Sequence, residues 1–401
     1  MRILWVKTGG LWPLNVGGRL RSFHIVQELS KRHRVTVLTT HAPGEDLGEL
    51  ARQLPQCRHV ASYPYAAPKA GTLRFAAALA RSWMSPLPVD LLKWRVPALR
   101  AEAEWILGTS KIDLCVADFL HGAVNVPLGS AVPTVLFSHN VESTIWQRLA
   151  VNESRRSRRA LLNREWRKMR ATEIESAERS RLVITVSDVD AAWLGECAPA
   201  ARVRSIPTGV DIDYFTANGI PERDAHLVFS GAMDWYPNED AMLFFISEIL
   251  PRIRAVIPNV TATIVGRNPS ARLRGAGQAG GVRITGTVDD VRSFIDEAAV
   301  YMVPLRIGGG TRLKIFEALS MGKAVVSTSI GAEGLPLVNG RHFLQADGPS
   351  GFSDAVITLL RDSTRRRSLG EMGRELVRGR YSWSNVALDF EAYCEEALHQ
   401  V

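Results

Sequence analysis

The chain has 401 residues, 46% of them hydrophobic, and a formal net charge of +8. This length suggests two or three domains, and the apolar fraction excludes wholesale disorder. No apolar stretch approaches the roughly 18 residues that span a bilayer. The short run 3–6 is followed at once by Lys7 and a glycine turn, which reads as a buried first strand and not as a secretory signal. Cys57, Cys115, Cys197 and Cys394 form no CxxC, so neither a disulfide framework nor a zinc site is indicated, and a cytoplasmic protein is the expectation.

In chain order, residues 2–7 form a β run. Residues 19–32 form a helix with Leu20, Phe23, Val26 and Leu29 on one side, and 35–40 return to β. Further β runs fall at 112–117, 134–137 and 182–186. All are apolar on both faces, as strands of a helix-covered parallel sheet should be. Between 155 and 170 lie eight Arg or Lys residues against the single acid Glu165, which predicts a basic surface helix suited to peripheral contact with an anionic membrane at its inner face. No nucleic-acid-binding motif accompanies it.

The pattern then restarts. A strand at 227–229 is followed by a helix over 238–257 and strands at 261–265, 282–285, 300–305 and 324–327, with a last helix at 383–398. The fold class is therefore α/β with two Rossmann-like, doubly wound domains. Boundaries are expected at 1–205, 206–380 and 381–401, the last segment packing back toward the first domain. Pro207 and Gly209 punctuate the joint. In such sheets ligands bind at the carboxyl ends of the strands.

The strand at 300–305 runs into Gly308, Gly309 and Gly310 and then a helix opening at Thr311. Glycines before a helix N-terminus let backbone N–H groups approach an anion, and Arg312 and Lys314 add full charges, which suits a diphosphate. Glu317 lies about 9 Å further along that helix, a reach that suits ribose hydroxyls. Lys314 and Glu317, three apart, could also be simply a surface ion pair.

These segments resemble the glycosyltransferases of family 4, which have the GT-B fold of two facing Rossmann-like domains with a cleft between them. The stretch 284–291 resembles a turn whose backbone, here Thr287 and Val288, packs by the nucleotide base. Residues 304–322 resemble the donor-binding segment, 324–334 the next strand and turn, and 206–215 the family's crossover, with Thr208 in place of Asn. The resemblance implies that Glu317 binds ribose, that Gly17 and Gly18 approach the donor phosphate, and that His139 lies beside the transferred sugar. Asp118 and His121 end a neighbouring strand. Two departures stand out. Of the family's two donor glutamates, eight apart, the second matches Glu317 and the first falls on Gly309, and the loop 230–240 has Ala232 at the position of the relatives' Arg and Pro237-Asn238 near that of their Lys. Arg312, Lys314 and Arg267 are the candidates to compensate.

The resemblance implies a retaining, metal-independent transferase. Its donor substrate would be a UDP- or GDP-sugar, and its acceptor a sugar, a lipid-linked or another glycoconjugate. Asp188, Asp190, Asp211 and Asp213 mimic a metal-binding D-x-D but read as cap and turn residues. A nucleotide-sugar epimerase of the same fold, or a non-catalytic sugar-nucleotide binder, are the competing expectations.

Overall fold

The structure is a computed structural model that describes residues 1–14, 16–45, 47–307 and 313–399. It divides into two compact units, Met1–Pro207 with Val386–Val401, and Thr208–Asn385.

The first unit is built on seven parallel strands: β1 (Arg2–Lys7), β2 (Arg34–His41), β3 (His59–Pro64), β4 (Leu114–Asp118), β5 (Thr134–Ser138), β6 (Leu182–Thr185) and β7 (Val203–Ser205), in the order β3-β2-β1-β4-β5-β6-β7. The central strands are buried along almost their whole length. On one face Leu4, Val6, Ala117 and Leu136 join the core cluster. On the other, Trp5 packs against Phe137 and Phe390, with ring centroids 6.1 and 5.5 Å away. Phe390 belongs to the terminal helix Trp383–His399, which is tied to this unit further by Arg32 and His33 on Glu391 and by Arg204 on Glu396. The start of that helix belongs to the other unit, because Trp383 lies against Gly209 and the preceding Tyr381 stacks on Phe316 at 4.9 Å. The second compact unit thus runs through Asn385.

The second unit has six parallel strands: β8 (His226–Ser230), β9 (Thr261–Val265), β10 (Arg283–Ile284), β11 (Val300–Val303), β12 (Val325–Ser327) and β13 (Leu344–Gln345), in the order β10-β9-β8-β11-β12-β13. The helix expected over 238–257 is three consecutive pieces, Tyr236–Phe244, a π-helical turn Phe245–Ile249, and Leu250–Val256. Pro251 explains the break. It has no N–H to give, its ring crowds the carbonyl one turn back, and a π turn accommodates both.

The basic segment is one long helix, Arg156–Arg179. Its single early acid is not on the surface: Glu165 is buried and accepts the Val89 N–H at 2.6 Å. The arginines therefore point outward while the acid anchors the helix.

The carboxyl ends of β8 and β9 approach so closely that a methyl on Gly266 would penetrate the Gly231 carbonyl oxygen. Gly266→Ala must therefore separate two central strand ends, and the expected result is a loss of at least about 3 kcal/mol, from overpacking against backbone that cannot rotate away. Urea unfolding checks this; a midpoint equal to that of the parent would contradict it.

Candidate functional site

In the first unit the sheet places Lys7 and Asp118 side by side at the carboxyl ends of β1 and β4, with His139 just beyond β5. The Asp118 carboxylate is fully buried. One of its oxygens accepts the Trp5 indole N–H at 2.8 Å, and the other faces His139 Nε2 at 2.8 Å and the Lys7 ammonium at 3.3 Å. Burial alone would raise the Asp118 pKa, but Lys7 and His139 hold it below the usual carboxylate range. Burial also pushes His139 down to about 3, despite the pull of Asp118. The imidazole is thus neutral at pH 7, and because an ionised carboxylate only accepts, Nε2 carries the proton.

The next residue, Phe119, has a left-handed backbone at φ 63°, a costly conformation for an aromatic residue. Its ring stacks on His139 at 3.8 Å and 5°, with the Lys7 ammonium 4.3 Å from the ring centre. His139, 2% exposed, therefore lies beneath Phe119 and within the carboxylate network. Gly18 is explained here too: a Cβ on it would stand 2.7 Å from Phe119, whereas one on Gly17 would meet nothing. These glycines open the helix Gly17–Ser30, which has no side-chain cap and no acid in its first turn. His121 is held by Asp90 at 3.0 Å. Lys7, Gly9, Gly18, Trp94, Phe119 and His121 line one pocket.

In the second unit the helix Leu313–Ser320 follows β11. Lys314 reaches back to the carboxyl end of β8, where its ammonium donates to Asn238 Oδ1 at 2.9 Å and lies 4.1 Å from the Phe229 ring centre. Asn238 is itself held by its amide N–H on the Ala232 carbonyl at 2.8 Å. A Cβ on Gly231 would stand 2.6 Å from the Lys314 nitrogen, so this cation sits directly over the strand end. One turn on, burial pushes the Glu317 carboxyl up to about 7 even though Lys314 lowers it. Thr287, exposed, and Val288, half-buried, follow β10 at the same edge, joined through the Gly266 N–H to the Gly286 carbonyl at 3.2 Å. Arg267, at the end of β9, is 3.6 Å from Asp234. Gly308, Gly309, Gly310, Thr311 and Arg312 lie outside the described residues. The structure brings Thr287, Val288, Lys314 and Glu317 to one sheet end, and separately Gly18 and His139 to another.

Sequence reasoning missed Lys7, Trp5 and Phe119. The signal was a lysine closing an otherwise apolar strand, in register with an aspartate closing the next.

A family profile described as Glycosyltransferase Family 4 matches residues 17–214, and one described as Glycosyl transferases group 1 matches residues 224–362. A phosphatidyl-myo-inositol mannosyltransferase of Mycobacterium leprae is 31% identical over 216 residues, which is 51% of this chain and 56% of that protein. The chain thus aligns with little more than half the length of this relative. Among solved structures, sucrose-phosphate synthase from Thermosynechococcus elongatus has a TM-score of 0.69 at 16% identity, over 99% of both chains. The Anabaena HepE protein solved with UDP has a TM-score of 0.67 at 14% identity, over 99% of this chain and 100% of that one. These likenesses show the fold. The two profiles together span most of the sequence, and the chain belongs to the group 1 glycosyltransferases of family 4.

Proposed function

We propose that this chain transfers a sugar from a nucleoside-diphosphate sugar, UDP- or GDP-linked, to a sugar or lipid-linked acceptor, with retention and without a metal ion. The observation that carries the reading is the Lys314 ammonium over the carboxyl end of β8, with Glu317 one turn along the same helix. A departing nucleoside diphosphate carries two to three negative charges, roughly, and a helix N-terminus offsets only about half a charge. A full cation at the strand end is what that chemistry asks for. Glu317, one turn along the same helix, is the acceptor for the sugar hydroxyls.

Asp118 is poorly suited to act as a base, since both its oxygens are engaged and Lys7 and His139 keep it ionised. A step in which the leaving phosphate oxygen itself takes the acceptor proton needs no such base, and the protein's part is then positioning and charge stabilisation. In this reading the pocket lined by Lys7, Trp94, Phe119 and His121 takes the acceptor, and His139 is a positioning residue, holding Phe119 and Asp118 beside it. Calorimetry with UDP, GDP, ADP and dTDP, followed by turnover of the matching sugars with and without acceptor, tests the proposal. No nucleotide binding would refute it, and a rearranged donor sugar formed without acceptor would point to epimerisation instead. EDTA should leave turnover unchanged.

Two mutational outcomes follow. Lys314→Met should lower turnover about a hundredfold, the usual loss when one charge-stabilising group is removed; single-turnover kinetics reads it, and an unchanged rate would move the phosphate site elsewhere. Glu317 sets a pH dependence. Ribose hydroxyls donate to the carboxylate form, so binding pulls the proton off, and affinity must rise with pH until the group is ionised without help. With a pKa of about 7, the affinity for a nucleotide sugar, whose two phosphates do not titrate in this range, should rise about tenfold from pH 6 to pH 8. The slope should vanish in Glu317→Gln.

A further inference from the structure

The first unit carries a second concavity that the transfer reading does not use. The helix Leu73–Trp83 begins at Thr72, whose side chain caps it by accepting the Phe75 N–H at 3.2 Å. Arg74, Ala77, Ala78 and Arg81 fall at positions i, i+3, i+4 and i+7 and so share one face. Two small residues leave a hollow, and an arginine stands at each end of it. Across the hollow run Leu92, Arg95, Pro97 and Ala101, the last two on the helix Pro97–Thr109. The resulting groove has a volume of about 770 Å³, with an apolar floor and a basic rim. This is the size of a site for a substantial organic ligand and far more than a simple inorganic anion fills.

The rim charges fall into two groups. Lys93 is paired with Asp90 at 2.5 Å and Arg100 with Glu104 at 2.8 Å. Among the described residues, the side chains of Arg74, Arg81 and Arg95 make no ion pair or hydrogen bond, although they face one space. Next to them the same helix exposes apolar groups that a water-facing helix would hide: Leu73 is 90% exposed, Trp83 54% and, just past its end, Met84 86%. The helix is nonetheless fixed in place, since Arg164 donates to the Trp83 carbonyl at 3.0 Å and Lys168 to the Ser82 carbonyl. Three unpaired guanidinium groups over an apolar floor, bordered by exposed Leu, Trp and Met, complement one chemistry: a phosphate headgroup attached to hydrocarbon. Tyr65, in the groove wall, lies 5.8 Å from Trp94, which also lines the pocket with Lys7, Gly18 and Phe119. One aromatic wall therefore separates the groove from the strand-end pocket.

We infer that this groove binds the phosphate headgroup and first carbons of a phosphorylated membrane lipid, gripped by Arg74, Arg81 and Arg95. The inference rests on the transfer reading only in placing the lipid next to the acceptor pocket; the binding itself is read without donor or turnover.

The full chain is titrated at 150 mM salt with dihexanoylphosphatidic acid below its micellar concentration, with dihexanoylphosphatidylcholine, and with inorganic phosphate. The expected order is clear binding of the first and at least tenfold weaker binding of the other two. Two variants test the site. Arg74→Gln/Arg81→Gln/Arg95→Gln removes the charge, and Ala77→Trp fills the hollow while keeping it. Each should weaken binding at least tenfold, with thermal unfolding and nucleotide affinity as in the parent. Arg156→Gln/Arg158→Gln/Arg159→Gln, on the long basic helix, should change it less than threefold. Equal binding of inorganic phosphate or of phosphatidylcholine would overturn the inference. So would a filled variant that binds like the parent, or an equal loss in the basic-helix variant, which would mean diffuse attraction by that face. Lipid binding without any nucleotide binding would sink the transfer reading alone, and nucleotide binding without lipid binding would sink the groove alone.

Discussion

The buried carboxylate of Asp118 is the constraint on which the first unit's site depends. A charge taken out of water costs several kcal/mol, roughly, unless its neighbours replace the lost hydration. Here the replacement comes from three directions: an indole N–H, an ammonium and an imidazole N–H. Two of these donors come from β1 and the third from just beyond β5, so satisfying Asp118 fixes the ends of three adjacent strands. The residue after it is then left with little choice. Phe119 turns through a left-handed conformation and lies flat between His139 and Lys7. The following layer inherits the geometry, because the helix beginning at Gly17 fits over that ring only with a glycine at 18. Gly18, Phe119 and His139 are consequences of one buried charge.

The second unit treats charge in the opposite way. Lys314 donates to the neutral Asn238 amide, and burial pushes Glu317, one turn on, up to about 7. The first network is closed on itself and organises the backbone. The second pair sets a cation and a carboxyl at a sheet end, the arrangement expected where a polar ligand binds.

Much of the fold was legible because the central strands are continuous apolar runs, and a run such as 182–186 has no other stable use in a chain of this length. The elements that escaped are those with little such signal. β3 is half-exposed along its length, β7 has three residues and β13 two, each at or near a sheet edge. The break at Phe245–Ile249 was written in Pro251, but the helical periodicity around it is strong enough to mask it. At the site, the glycines and charged residues of the donor segment could be read from their order along the chain. The partners of His139 could not. Lys7 and Asp118 are 111 residues apart, and only the pairing of β1 with β4 makes them neighbours. The groove beside the Leu73–Trp83 helix was invisible for the same reason, since its arginines come from that helix and from a later loop, at Arg95.

The loss of the usual loop cations is explained by the same reasoning about where charge sits. In relatives that loop is expected to hold an Arg and a Lys, and here positions 232 and 238 are Ala and Asn. Asn238 is not a vacancy. Its carbonyl oxygen receives the Lys314 ammonium, and its amide is fixed by the Ala232 carbonyl, so the loop now holds a cation that the neighbouring helix supplies. A lysine at 238 would set two ammonium groups at about hydrogen-bonding distance, where like charges repel by several kcal/mol, roughly, in a partly dry site. The loop needs no cation of its own for a positive charge to stand at the strand end, because the helix supplies one and Asn238 holds it there. An anion responds to the position of positive charge and hardly at all to the element that carries it.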